Sequence, residues 1–286
     1  LWARYAMNNK FLYIPKTTSV YHVPAKESNY TKRQEELDNY LNDFLKKEDF
    51  AGDVSLNGIQ IQNANPSEKQ IKKIAFAVDA CKETAQKAWQ NGADVLIVHH
   101  GLFWGRCQTL TGSFYNRVRE FINHDLALIA YHLPLDANNL CGNNYGLAFK
   151  LNLQNLEPFG FWRGMSVGVK GELENPLTID EIQKLLLREK KSASTVLRFG
   201  KEKIKTIGII SGGASEDVEA AIQENLDLYI TGEFEHAHYH IAKENCINVI
   251  AAGHYETEII GVNLLMKKIQ EELKIDCEFI DVPTDL

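Results

Sequence analysis

Three apolar runs separated by helix-length stretches constrain this chain more than any other feature. They are "IKKIAFAVD" (71–79), "VLIV" (95–98), which runs straight into His99 and His100, and "LALIAYH" (126–132). Between them, 82–91 and "SFYNRVREFINHD" read as helices. Strands that alternate with helices run parallel, because each crossover lays a helix on a sheet face, and both faces end up covered. The carboxyl ends of all three strands then share one rim, where open α/β sheets place their ligands. Asp79, His99, His100 and His132 fall on that rim.

Upstream, "EELDNYLNDFLKK" sets Leu37, Tyr40, Leu41 and Phe44 at helical spacing, and "NGIQIQN" is a turn entering an alternating segment. From residue 151 the pattern restarts with "MSVGVKGEL", the helical "TIDEIQKLLLREKK" and "STVLRFG". A further β-α-β unit follows: "IKTIGIIS" (204–211), the tight turn "GGAS", the helical "EDVEAAIQEN" and "LDLYITGE" (226–233). The helical "FEHAHYHIAKEN" precedes a strand, a glycine turn and a long amphipathic helix within "INVIAAGHYETEIIGVNLLMKKIQEEL", and "DCEFIDV" is the last strand. The expected fold is α/β, with two modules of mostly parallel or mixed sheets flanked by helices. The first comprises 36–150 plus 250–286 and carries most of the candidate ligands; the second comprises 151–249. Residues 1–35 lack either periodicity and read as a poorly structured extension, with Met7 as the expected natural start. They have neither the Arg-rich amphipathic pattern of a presequence nor an apolar signal core.

A net charge of −7, with no long Lys/Arg block, gives no overall pull toward phosphate backbones and argues against nucleic acid as a partner. No stretch approaches the ~18 uninterrupted apolar residues of a membrane span, so a cytoplasmic location is expected. Five cysteines, Cys81, Cys107, Cys141, Cys246 and Cys277, are odd in number and widely spaced, which suggests neither a disulfide framework nor a thiolate zinc site.

The chemistry therefore rests with nitrogen and oxygen donors. Neighbouring strand residues point to opposite faces, so His99 and His100 can serve one site only where the strand ends, and Gly101 turns the backbone there. The alternative is one buried and one solvated structural histidine. "AYHLPLDA" sets Asp136 just past the same rim, either at the site or as a turn or cap residue. "GHYETE" places His254 at a helix start with Glu258 at i+4 on the same face; the competing reading is a cap histidine and a first-turn carboxylate favoured by the helix dipole. Together, these five residues at three strand ends suit Zn, Fe, Mn or Ni, and bridging by Asp136 and Glu258 would hold two ions ~3.5–4 Å apart.

The set "NGIQIQ", "ADVLIVHHGLFW", "YHLPLDA…GNN", "GGAS", "TGE" and "AAGHYETE" resembles the Nif-three-like family, the GTP cyclohydrolase I type II homologues, in its compact bacterial form. The resemblance covers roughly 36–286 in order; residues 1–35 have no counterpart, and the chain is too short for the inserted domain of longer members. It implies two divalent metal ions per chain on His99, His100, Asp136, His254 and Glu258, and assembly into a toroidal homohexamer. His240 roughly matches a family histidine and is expected to line the site. Glu233, ending a strand in "TGE", is a candidate partner behind a ligand. His236 lies one helical turn from His240, and His238 is expected to be exposed. Backbone amides of "SGGAS" at a helix start are a weak phosphate-cradle signal.

The reading is a metal-dependent hydrolase, with GTP as the candidate nucleotide substrate and formate as the product lost. A metal-binding or metal-delivery protein without turnover, or a hexameric scaffold, is the alternative. A DNA-threaded toroid is disfavoured by the acidic balance.

Overall fold

A computed structural model of the chain describes residues 33–188, 192–284 and 286. The expectations for 1–32, Met7 included, lie outside the described residues. The described chain begins with helix α1 (Gln34–Phe44), so the expected extension boundary at residue 35 falls inside its first turn.

The first sheet contains β1 (Gly58–Ile61), β2 (Lys73–Asp79), β3 (Val95–His100), β4 (Ala127–Ala130) and β11 (Asp276–Phe279), in the order β1-β4-β3-β2-β11. Its four strands from β4 to β11 are parallel, and β1 closes one edge antiparallel to β4. Alternation sorts the side chains between the two faces. Ile74, Phe76, Val95, Ile97 and Ile129 pack with Leu37 and Leu41 of α1 and with Val262, Leu265 and Ile269 of the long helix α9 (His254–Leu273). On the other face, Ala75, Ala77, Leu96, Val98 and Leu128 meet α2 (Lys82–Gln90) and α3 (Gly112–Asn123). The small alanines of β2 let these two helices lie close to the sheet.

The second sheet contains β5 (Gln154–Trp162), β6 (Met165–Leu177), β7 (Thr195–Leu197), β8 (Ile204–Ile209), β9 (Leu228–Thr231) and β10 (Asn248–Ala251), in the order β5-β6-β8-β9-β10-β7. Its centre, β8-β9-β10, is parallel and its margins are antiparallel. One face is covered by α5 (Asn143–Lys150) and α6 (Ile179–Leu186), the other by α7 (Val218–Gln223) and α8 (Tyr239–Glu244). α9 packs on α5 as well as on β2 and β11, so the two sheets sandwich a shared helical layer. β10 carries the second sheet through Ala251, and Leu147 and Ala148 of α5 belong to its core.

The two helices expected after "GGAS" and after "TGE" are shorter than their periodicity suggested. Each opens as a 3-10 turn, Ser215–Asp217 and His236–His238, before α7 and α8 begin. None of the described helices is long and apolar enough to cross a membrane.

Candidate metal centre

Both sheets turn their strand ends toward one cleft of about 780 Å³. β3 ends at His100, which pairs in register with Asp79 of β2. The backbone then turns sharply because Gln60 of β1 accepts from the amides of Leu102 (2.7 Å) and Phe103 (3.1 Å). β4 gives way to the single-turn helix α4 (Leu133–Asp136), whose last residue is Asp136. α9 supplies His254 and Glu258 from its first two turns.

These elements bring all five sequence-predicted ligands together. His99 is fully buried, Glu258 is 2% exposed and Asp136 is 7% exposed. His99 Nε2 lies 3.5 Å from Asp136 Oδ2 and 3.4 Å from Glu258 Oε1. His100 Nε2 is 3.3 Å from Glu258 Oε2, and His254 Nε2 is 3.2 Å from Glu258 Oε1. Two donors on a ~2.1 Å metal radius at the tetrahedral angle stand ~3.4 Å apart, so the spacing suits ligands around a shared ion. His99 Nε2 and Glu258 Oε2 are shut off from solvent and have no hydrogen-bond partner among the described residues. Buried polar atoms left this way call for an ion or water between them. Among the described residues two of the three donor groups share Glu258, His99–Asp136–Glu258 and His100–His254–Glu258; Asp136 belongs only to the first.

The far side of each imidazole is fixed. His99 Nδ1 meets the Tyr131 carbonyl at 3.1 Å, His100 Nδ1 meets Asp79 Oδ1 at 2.9 Å, and His254 Nδ1 meets Glu233 Oε1 at 2.6 Å. A carbonyl or carboxylate there keeps the proton on Nδ1 and presents Nε2 as the donor, the arrangement typical of metal-ligating histidines. Asp136 is held through Oδ1 by Asn143 Nδ2 (2.8 Å) and Ser211 Oγ (2.9 Å), which leaves Oδ2 turned to His99.

The electrostatics favour a cation at this centre. Burial opposes a charged His99, but the Asp136 and Glu258 carboxylates outweigh it and raise the imidazole to about 10. Burial likewise opposes a charged His254, yet Glu258 and Glu233 raise it to about 9. Burial pushes Glu258 upward, but His100, His99 and His254 hold it well below the ordinary carboxylate range.

Backbone space is equally specific. Gly212, in the "GGAS" turn, has φ +67°, and a Cβ there would collide with Glu258 Oε1 and stand 3.2 Å from His254 Nε2. Gly261 of α9 allows Asn143 to approach, since a Cβ would lie 2.8 Å from the Asn143 backbone nitrogen.

His132 joins His99 and His100 in a third group of donor atoms. Its Nδ1 meets Asp53 Oδ1 at 3.0 Å, and Asp53, with a side chain 1% exposed, also accepts from the amides of Ser55 and Leu133 and from Asn57. Sequence placed His132 on the rim but outside the ligand set; Asp53 gave no sequence signal, and Asn143 and Ser211 were read only within the "GNN" and "SGGAS" motifs, not as partners of Asp136.

The histidines of "FEHAHYH" behave differently from expectation. His240, in the helix that follows the 3-10 turn at His236–His238, is exposed and is not part of the cleft lining. His236 is exposed too. His238, expected to be exposed, is half-buried beside Phe234, with Nδ1 unpartnered among the described residues. The "SGGAS" amides are partly taken: Ser211 donates to Asn144 Oδ1 (2.7 Å) and Gly212 to Thr257 Oγ1 (3.1 Å).

The chain matches the Duf34/NIF3 (NGG1p interacting factor 3) family over residues 33–285. It is 41% identical over 285 residues to the "GTP cyclohydrolase 1 type 2 homolog" of Treponema pallidum, covering 88% of this chain and 99% of that protein. The protein of the same name in Deinococcus radiodurans is 40% identical, over 88% of this chain and 94% of that protein. Among solved structures, TTHA1606 of Thermus thermophilus superposes with a TM-score of 0.79 at 32% identity, over 89% of this chain and all of that one (100%).

Proposed function

The chain belongs to the Duf34/NIF3 family, and we propose that it is a metal-dependent hydrolase in which His99, His100, Asp136, His254 and Glu258 hold two divalent ions. The observation that carries this reading is the pair of donor groups sharing Glu258, with His99 Nε2 and Glu258 Oε2 buried and without a hydrogen-bond partner among the described residues. All donors are nitrogen or oxygen, which suits Zn, Fe, Mn or Ni. Held by these residues, two such ions would supply Lewis acidity and a water of lowered pKa.

The chain's own groups do the rest. Asp79 and Glu233 fix the tautomers of His100 and His254, and Asn143 with Ser211 orients Asp136. His132, with Nδ1 tied to Asp53, presents Nε2 to the cleft as a proton acceptor that the five ligands do not provide. The name shared by the relatives makes hydrolytic opening of a purine ring, with loss of formate, the candidate reaction.

The test is anaerobic purification, quantification of bound metal, and assay of formate release from purine substrates. Release that tracks metal content and disappears in Glu258→Gln supports the reading. A fully loaded chain that turns over no purine refutes the purine reaction and favours metal delivery or a scaffold role.

A further inference from the structure

The walls of the cleft, beyond its metal donors, bear on the class of molecule it accepts. Trp104 and Trp162 line it together with Leu133, Val167 and Ile210. Trp104 is fixed in place: its indole N–H donates to the Gly101 carbonyl at 3.1 Å, and its ring meets His132 at 5.1 Å and 78°. The Arg163 guanidinium stacks on Trp162, 4.3 Å from the ring centre. Rigid indoles in an otherwise apolar wall favour a planar aromatic guest.

The charge around those walls is unfavourable for phosphate. Besides Arg163, which stacks on the lining Trp162, the cation at these walls is Arg117, the sole Lys or Arg among the described lining residues. Against it stand Glu216 and Asp217, neither of which forms an ion pair among the described residues, together with Asp79 and Glu233 behind the histidines. The glycine turn compensates only in part: its Ser211 and Gly212 amides are already engaged, and the Gly213 to Ser215 amides that follow lead directly into Glu216 and Asp217. A nucleoside triphosphate brings about four negative charges and is normally met by arginines, lysines or free helix-terminal amides. Two ions on the cleft floor could hold one phosphate, but the rest of the chain of phosphates would face unpaired carboxylates.

We propose that this cleft takes an uncharged planar nitrogen heterocycle of nucleoside size and discriminates against its polyphosphate. The proposal rests on the metal-hydrolase reading and names the substrate class within it: the ring is recognised and the triphosphate is not.

The test is equilibrium binding of guanosine and of GTP to the full-length chain at one ionic strength, with metal measured on the same sample. Guanosine is expected to bind about tenfold more tightly than GTP. Glu216→Gln/Asp217→Asn is expected to raise GTP affinity about fivefold while leaving guanosine within about twofold. Glu216→Gln alone, at an exposed side chain, should move GTP in the same direction if the double variant folds poorly. GTP binding as tightly as guanosine, no binding of guanosine, or neutralised variants that leave the ratio unchanged would each overturn the proposal. A sample that holds no metal yet still prefers guanosine refutes the hydrolase reading and supports the substrate class; a metal-loaded sample that prefers GTP refutes only the substrate class.

Discussion

Gly212→Ala probes the donor geometry with a single methyl group. At φ +67° an L-residue costs ~1–2 kcal/mol from backbone strain alone. The new Cβ would also lie roughly 1 Å inside the contact distance of Glu258 Oε1. Glu258 has no easy retreat, because it is 2% exposed and its other oxygen already faces His100. Metal sites tolerate ligand displacements of only ~0.2 Å, so a shift of this size removes Glu258 as a donor from both groups at once. The expected result is a folded protein that has lost most of its metal. After chelation, the variant should melt only ~2–8 °C below chelated wild type, the share due to ~1–2 kcal/mol of backbone strain. Gly213→Ala is the matched control: its Cβ has nothing nearer than 3.8 Å, and its φ is not in the left-handed region. Elemental analysis with calorimetry on both variants decides the matter. Wild-type metal content in Gly212→Ala, or equal loss in Gly213→Ala, would show that the Glu258 position is not where the ions bind.

Asp136→Ala should lower metal per chain far more than His238→Ala, since His238 has no place in any donor group; two ions per chain in Asp136→Ala would make the ligand assignment wrong. Chelated protein should also lose stability as the pH rises. His99 is raised from 6.5 to about 10, so its contribution is complete below 6.5 and disappears as pH passes through about 10, whereas metal-loaded protein, with neutral imidazoles, should keep a flat melting profile over that window. The same interaction seen from Glu258, whose pKa is depressed, fades only below about 4.5, so acid should cost chelated protein nothing between pH 7 and pH 5 through this group. Asp53→Ala strands the His132, Asn57, Ser55 and Leu133 donors in a buried position and should cost about 2–4 kcal/mol in denaturant unfolding; a loss under ~1 kcal/mol would mean that water replaces the carboxylate freely.

Periodicity determined the parallel β2-β3-β4 core and its helix-covered faces, because alternation and helical spacing are local properties of the chain. It also put Asp79, His99, His100 and His132 on one rim, since a strand's end and its direction in a β-α-β unit follow from connectivity. The spacing of His254 and Glu258 was legible for the same reason: i and i+4 share a helix face whatever surrounds it. Tertiary structure alone decided which atoms meet. Asn143 reaches Asp136 only because α5 lies against α9 at Gly261, and Ser211 reaches it only because the second sheet aims its β8 end at the first. Asp53 contacts His132 from 79 residues away, through a loop with no periodic signature. His240 shows the reverse, a residue whose match to a family histidine implied a place in the site, while the structure leaves it exposed and outside the cleft lining. Such contacts depend on the relative placement of whole elements, which side-chain packing between the two sheets sets and which no local pattern encodes.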